Sequence, residues 1–144
     1  RLDKEGRTVE SCCSGWAVDR KILSSIQEKP DSLLAQLCAA MPSKQAAALL
    51  PALRQGDEEA RRILDETTDD LAYGLSHAVH LLHPQAIILG GGLSLLGEPL
   101  RLAVAQKIKR YVMQAFQPGP EIRLAQLGEQ AVPIGALELV RNSR

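Results

Sequence analysis

The sequence predicts an α/β fold, rich in helix and carrying a small mixed sheet, and three stretches predict it. The first is residues 84–94, Pro-Gln-Ala-Ile-Ile-Leu-Gly-Gly-Gly-Leu-Ser, where a short apolar run stops abruptly at three glycines. The run Ala86-Ile87-Ile88-Leu89 is too short for a helix, and apolar side chains at every position suit a strand of a parallel or mixed sheet covered on both faces. The second is residues 57–82, the longest run with apolar residues at helical spacing. The third is residues 121–127, Glu-Ile-Arg-Leu-Ala-Gln-Leu, which alternates for most of its length and reads as a strand with one wetter face.

Taken in order, residues 1–9 are charged, contain Gly6 and lack apolar periodicity, so they read as a loop. A helical block over 10–83 follows. Ser14 can cap a helix with Trp16, Ala17, Ile22, Leu23 and Ile26 as its apolar positions, ended by Lys29-Pro30. Asp31 or Ser32 caps a second, with Leu33, Leu34, Leu37, Cys38 and Met41 inward and Pro42 as its stop. Ser43 caps a third, rich in Ala and Leu, as far as Gln55-Gly56. Pro51 inside it should kink or shorten it, because proline lacks the N–H and clashes with the preceding turn.

Asp57 opens the long helix, which presents Ala60, Ile63, Leu64, Thr67, Leu71, Leu75, Ala78, Val79 and Leu82 on one broad face. Asp57, Glu58 and Glu59 suit the positive end of its dipole, and His77, His80 and His83 suit the negative end when protonated. Pro84 ends it. Residues 84–144 then read strand, helix, strand, helix. The first of these helices is entered at Ser94 and runs to about Phe116, with Gln117-Pro118-Gly119-Pro120 as the turn after it. Gly128 closes the second strand, and the last helix spans 133–140, with Gly135 and Ala136 permitting close approach of another backbone. Two strands do not make a stable sheet alone, so further strands come from other sequence or the helices dominate. The chain opens at Arg1, in what reads as the middle of a loop, which suggests a piece of a longer protein.

Composition narrows the function. The 144 residues are 45% hydrophobic, enough to bury a sizeable core in one domain. Seventeen basic residues balance seventeen acidic ones and aromatics are 3%, which argues against nucleic acid or a membrane surface as a partner. No span reaches the length of a membrane helix and no signal peptide is evident. Cys12, Cys13 and Cys38 are odd in number and two are adjacent, which suits reduced, structural thiols in an intracellular protein.

Most candidate chemical constellations fail. His77 and His80 share a helix face, but no Cys, Asp or Glu completes a metal site beside them. Residues 65–70, Asp-Glu-Thr-Thr-Asp-Asp, read as a solvated helix face. Ser76 and His77 are mere neighbours, so no nucleophilic triad can be ordered. Gly90, Gly91 and Gly92 lack both the dinucleotide spacing and a P-loop Lys-Ser/Thr. Bare backbone there can still lie against a flat ligand such as adenine or ribose, at the carboxyl end of a strand where ligands of open α/β sheets bind; the alternative is a tight connection with no ligand.

Several of these stretches together resemble one family. They are Gly56-Asp57 opening a long helix, Leu81-Leu82-His83-Pro84, Ile87 through Ser94, Gly97-Glu98 and the late Gly135-Ala136. Followed from about residue 10 to 140, they are similar to the C-terminal part of the ROK family of bacterial sugar kinases and sugar-responsive repressors. The resemblance implies an actin-like ATPase (ribonuclease H-like) C-terminal lobe. It implies that Gly90, Gly91, Gly92 and Ser94 form the nucleotide-binding, adenosine-supporting loop. Val9-Glu10-Ser11-Cys12-Cys13-Ser14-Gly15 resembles the segment whose glutamate hydrogen-bonds sugar hydroxyls, which makes Glu10 the substrate-binding residue; the plainer reading of Glu10 is an acid at a helix N-terminus.

The cysteine-rich zinc motif of many family members, with its preceding histidine, is missing, so zinc is not expected. The family's phosphate loop and catalytic aspartate belong to an N-terminal lobe, so this stretch holds no catalytic residue and no kinase activity is expected of it alone. The implied whole is a cytoplasmic, homodimeric, glucokinase-like enzyme using ATP and Mg, acting on a sugar. The alternative is the effector and dimerisation lobe of a sugar-responsive repressor.

Overall fold

The computed structural model describes residues 6–41 and 45–142. Seven α-helices and two strands are found among them: α1 Val9–Cys13, α2 Gly15–Glu28, α3 Leu33–Ala39, α4 Gln45–Arg54, α5 Glu58–Leu82, β1 Ala86–Leu89, α6 Glu98–Tyr111, β2 Glu121–Leu124 and α7 Ala131–Asn142. β1 and β2 are parallel, in register from Ala86 opposite Glu121 to Leu89 opposite Leu124. Parallel neighbours need a crossover, and the 3-10 turn Gly92–Leu96 followed by α6 supplies it.

Each start has a local cause. Ser14 and Ser32 accept the Ala17 and Ala35 N–H groups as N-caps of α2 and α3, and Asp57 does the same for Ala60 in α5. Asp57 also ties helices together, because its second oxygen accepts the Leu34 N–H at 3.1 Å. The stop of α5 is His83, in the left-handed region at φ 48°, before Pro84.

One core runs through the molecule. It joins Val18 and Ile22 of α2, Leu34 of α3, Leu49 of α4, Ile63 and Ala72 of α5, Leu100, Val104 and Ile108 of α6, Leu89 of β1 and Ile122 of β2. At its polar edge Glu59 bridges α2 and α5: it accepts from Ser25 Oγ at 3.0 Å and Arg62 Nε at 3.1 Å and pairs with Lys29. These donors, Lys29 foremost, hold its carboxyl down to about 2.

The structure corrects several expectations. Val9 is already helical rather than loop, because Thr8 and Ser11 form a reciprocal capping box that starts α1. Trp16 and Leu23 are exposed; they lie seven residues apart on the outer face, while Ala17, Val18, Ile22 and Ser25 face inward. Leu82 is exposed for the same reason of phase. The strand covered on both faces is covered on one only: Leu89 is buried but Ile88 is 67% exposed, since in a two-stranded sheet nothing among the described residues lies over that side. The helix expected to reach Phe116 ends at Tyr111, where Val112 turns extended, and the second strand ends at Leu124.

Pro51 neither ends nor shortens α4, which continues to Arg54. The expected stop at Pro42 and cap at Ser43 lie outside the described residues. Residues 65–70 are more than a solvated face: Thr67 and Thr68 are buried, Asp65 pairs with Lys107, and Asp69 accepts from Arg110 and from Tyr111 Oη at 2.7 Å, so the acids dock α6 onto α5. α7 forms as expected but buries none of its side chains, and space for a Cβ is open at Gly135, so the close approach is not made among the described residues.

Candidate functional site

β1 ends where its backbone must turn into the 3-10 segment, and Gly91 makes that turn at φ 79°, ψ −172°. This region is nearly closed to residues with a Cβ, so Gly91 is required by the chain itself. Gly90 and Gly92 are different. Neither has positive φ; a Cβ at Gly90 would make ordinary contact with Ala125 Cβ at 3.5 Å, and one at Gly92 would meet nothing within 4 Å. The protein's own packing therefore gives no reason for glycine at 92. Ser94 holds the loop closed: its Oγ donates to Gly91 O at 2.6 Å and its N–H to the same oxygen at 3.0 Å.

Two cavities open on either side of this loop. One, of about 490 Å³, is lined by Glu10, Cys13, Ser14, Ile87 and all three glycines. The other, of about 450 Å³, lies between α2, α4 and the 3-10 turn, with Asp19, Ala47, Leu50, Pro51, Arg54 and Gly92 among its walls. Gly15, Gly92 and Leu93 border both, so the cavities meet there. Both volumes fall within the roughly 300–1,000 Å³ typical of ligand sites.

Glu10 is exposed at the first turn of α1, and no hydrogen bond or ion pair joins its carboxylate to another described residue. The fold thus brings Glu10 and Gly90, Gly91 and Gly92, eighty residues apart in the sequence, to one cavity. Ser94 lines neither cavity; its hydroxyl shapes the loop. Among the residues of the Glu10 cavity, Cys13 is a buried thiol donating to Thr67 O at 3.5 Å, pushed up to about 12 by burial first and by Asp70 second. It is protonated at neutral pH and offers no base, and Glu10 is the one carboxylate in that wall.

The second cavity was not legible as a site in the sequence. Asp19 accepts the Ala46 N–H at 2.7 Å and so fastens α4 to α2. Arg54 is exposed in the last turn of α4, and no hydrogen bond, ion pair or ring contact ties it to another described residue. Only the defect Pro51 in an Ala-Leu helix hinted that α4 was unusual. The histidines serve packing: His77 lies edge-on to Tyr73, His80 Nε2 accepts the Met113 N–H at 3.1 Å, and His83 stacks near Phe116. Among the described residues no group of three His, Cys, Asp or Glu could hold a metal ion, and no helix is long and apolar enough to cross a membrane.

The sequence profile of the ROK family matches residues 4–143. The chain belongs to the ROK family. It is 30% identical over 133 residues to the glucokinase of Thermotoga maritima, covering 92% of this chain and 42% of that protein. A crystal structure of a ROK family glucokinase from Streptomyces griseus in complex with glucose and AMPPNP superposes with a TM-score of 0.80 at 26% identity, over 93% of this chain and 44% of that one. A ROK family transcriptional regulator, a homolog of the E. coli MLC protein, superposes with a TM-score of 0.72 at 18% identity over 91% of this chain and 33% of its own, a likeness of fold alone. The architecture is thus the actin-like ATPase fold of ROK sugar kinases, and the chain spans less than half the length of these relatives.

Proposed function

We propose that this chain is the C-terminal lobe of an ATP-dependent sugar kinase of the ROK family, with Glu10 holding sugar hydroxyls and the Gly90–Gly92 loop lying under the nucleotide. The observation that carries the reading is the single cavity lined by both Glu10 and the three glycines. A carboxylate without a protein partner accepts from two hydroxyls at once, which suits a polyol such as the glucose bound by the Streptomyces relative. Backbone left bare at Gly92, where the fold does not need it, suits close passage of the nucleotide. Ser94 contributes by fixing the turn through Gly91 O.

Phosphoryl transfer depends on positioning and on electrostatic stabilisation around the γ-phosphate. The walls of the Glu10 cavity contain no lysine or arginine and no second carboxylate to act as base. The base and the phosphate-binding loop therefore belong to the rest of the kinase, and these 144 residues alone transfer no phosphate. Magnesium enters as the companion of ATP, and no step is assigned to it here. A cytoplasmic homodimer completes the reading.

The test is an assay of the full-length protein with ATP and glucose, coupled to ADP release, together with titration of each ligand separately. Turnover with sugar binding that depends on Glu10, and nucleotide binding that does not, supports the kinase. The regulator's shared fold keeps the effector lobe of a sugar-responsive repressor as the second reading. Sugar binding with neither ATP binding nor turnover would decide for it.

A further inference from the structure

The second cavity has no assigned ligand, and three of its features point to one. It is bounded by the free side of Gly92, its wall is largely aliphatic, and it carries an arginine without a protein partner. A fourth concerns Pro51. Proline has no N–H, so the carbonyl of Ala47, four residues earlier, loses the donor that an α-helix would give it. Both Ala47 and Pro51 line this cavity, and Ala47 is exposed. The helix is unbroken there, so what the proline leaves in the wall is a backbone acceptor in a surface of otherwise apolar groups.

Resting on the reading that the glycine loop takes a nucleotide, we propose that the cavity between α2, α4 and the loop binds the purine base, that the Ala47 carbonyl freed by Pro51 reads its exocyclic amino group, and that Arg54 stacks on its face. The chemistry selects adenine. Adenine presents an N6 amino donor where guanine presents the O6 acceptor, and a carbonyl acceptor pairs with the first and opposes the second. A guanidinium over the ring adds cation–π attraction, and the aliphatic wall formed by Leu50 and its neighbours covers the other face. With the base here and the sugar at Glu10, the phosphates run past Gly15 and Gly92, which border both cavities.

The experiment is calorimetric titration of the full-length protein with ADP, GDP and adenosine. Wild type is expected to bind ADP at least about tenfold more tightly than GDP, the discrimination expected of a site that pairs with one base and leaves the other unpaired. Pro51→Ala restores the helix hydrogen bond, so it should raise the melting temperature and at the same time shrink the ADP preference severalfold. Arg54→Ala should weaken ADP and adenosine alike, by about three- to thirtyfold. Ala47→Phe, at an exposed position, should fill the cavity and block both ligands while leaving glucose affinity unchanged.

A Pro51→Ala protein that is more stable yet equally selective overturns the carbonyl's role. Loss of ADP but not of adenosine affinity in Arg54→Ala places that side chain on the phosphates and overturns stacking. If Gly92→Val abolishes ADP binding while Ala47→Phe leaves it intact, the base lies elsewhere and this inference falls alone. If Gly92→Val leaves ADP binding intact, the reading of the glycine loop falls with it.

Discussion

Two charged regions of this molecule differ in one respect, and the difference separates structure from function. At the α2–α5 seam Glu59 is nearly buried and is met by Ser25, Lys29 and Arg62, so every acceptor position is explained by the fold. At the rims of the two cavities Glu10 and Arg54 are exposed and meet no described residue, and Gly92 omits a side chain for which there is room. A satisfied charge accounts for itself. An unsatisfied one beside a cavity, next to a glycine the backbone does not require, is a candidate for contact with a ligand.

The largest effect expected is at Gly92, where the comparison can be broken outright. Gly92→Val adds three carbons to the junction of the cavities without touching protein, so the fold should lose less than about 1 kcal/mol. Nucleotide affinity should fall by at least about a hundredfold, roughly 3 kcal/mol, since the loop could no longer be approached. Gly91→Val is the control: it forces a β-branched residue into a region that costs on the order of 1–3 kcal/mol, so it should destabilise the protein whatever the ligand does. Equal stability losses for the two variants, by denaturant unfolding, would remove the distinction drawn between these glycines.

Glu10→Gln comes next. Hydrogen bonds to a charged group contribute about 1.5–3 kcal/mol, so sugar affinity should drop roughly tenfold or more with the melting temperature unchanged. A fall in stability without a fall in sugar affinity would make Glu10 a helix-end acid and nothing else.

For Glu59 the sign is reversed: stability should change and ligand affinities should not. Its carboxyl, ordinarily at 4.5, is held down to about 2, so folding keeps the charged form. That contribution is fully present above about pH 4.5 and is lost as pH falls toward 2. Glu59→Gln should therefore cost on the order of 1–2 kcal/mol at pH 7 and flatten the acid limb of the stability profile. An unchanged limb would mean that other carboxylates govern acid unfolding.

The helices with strong signals were legible in sequence, and so was the strand-glycine-helix unit. Ser14, Ser32 and Asp57 sit at the caps their side chains predict, because capping is a local matter of one oxygen and a nearby N–H. What was not legible depends on partners far away in the chain. Ile88 reads as core from its neighbours but lies exposed, and α7 reads as an ordinary apolar helix yet buries nothing among the described residues. The acids of residues 65–70 looked solvated because their cations stand some forty residues later, on α6. Half of the site was readable through Glu10 and the glycines. The other half was not, since Arg54 is one arginine among many until the fold shows it unpaired beside Gly92, and Pro51 is only a helix defect until it borders a cavity.

The smallest predicted effect sharpens the comparison where its two terms meet. α1 has only five residues and carries Glu10, and its start depends on Thr8 Oγ1 accepting the Ser11 N–H at 3.0 Å while Ser11 Oγ accepts the Thr8 N–H at 2.9 Å. Here a structural device, fully satisfied, positions a side chain that is not. Thr8→Ala removes one side of the box and should cost about 1 kcal/mol in local helix stability. Because the loss is to the platform rather than to the carboxylate, sugar affinity should weaken about twofold to fivefold, less than in Glu10→Gln, and the double variant should lose little beyond Glu10→Gln alone. Additive losses in the double variant would mean that the cap and the carboxylate act independently, and that α1 does not position Glu10 for the sugar.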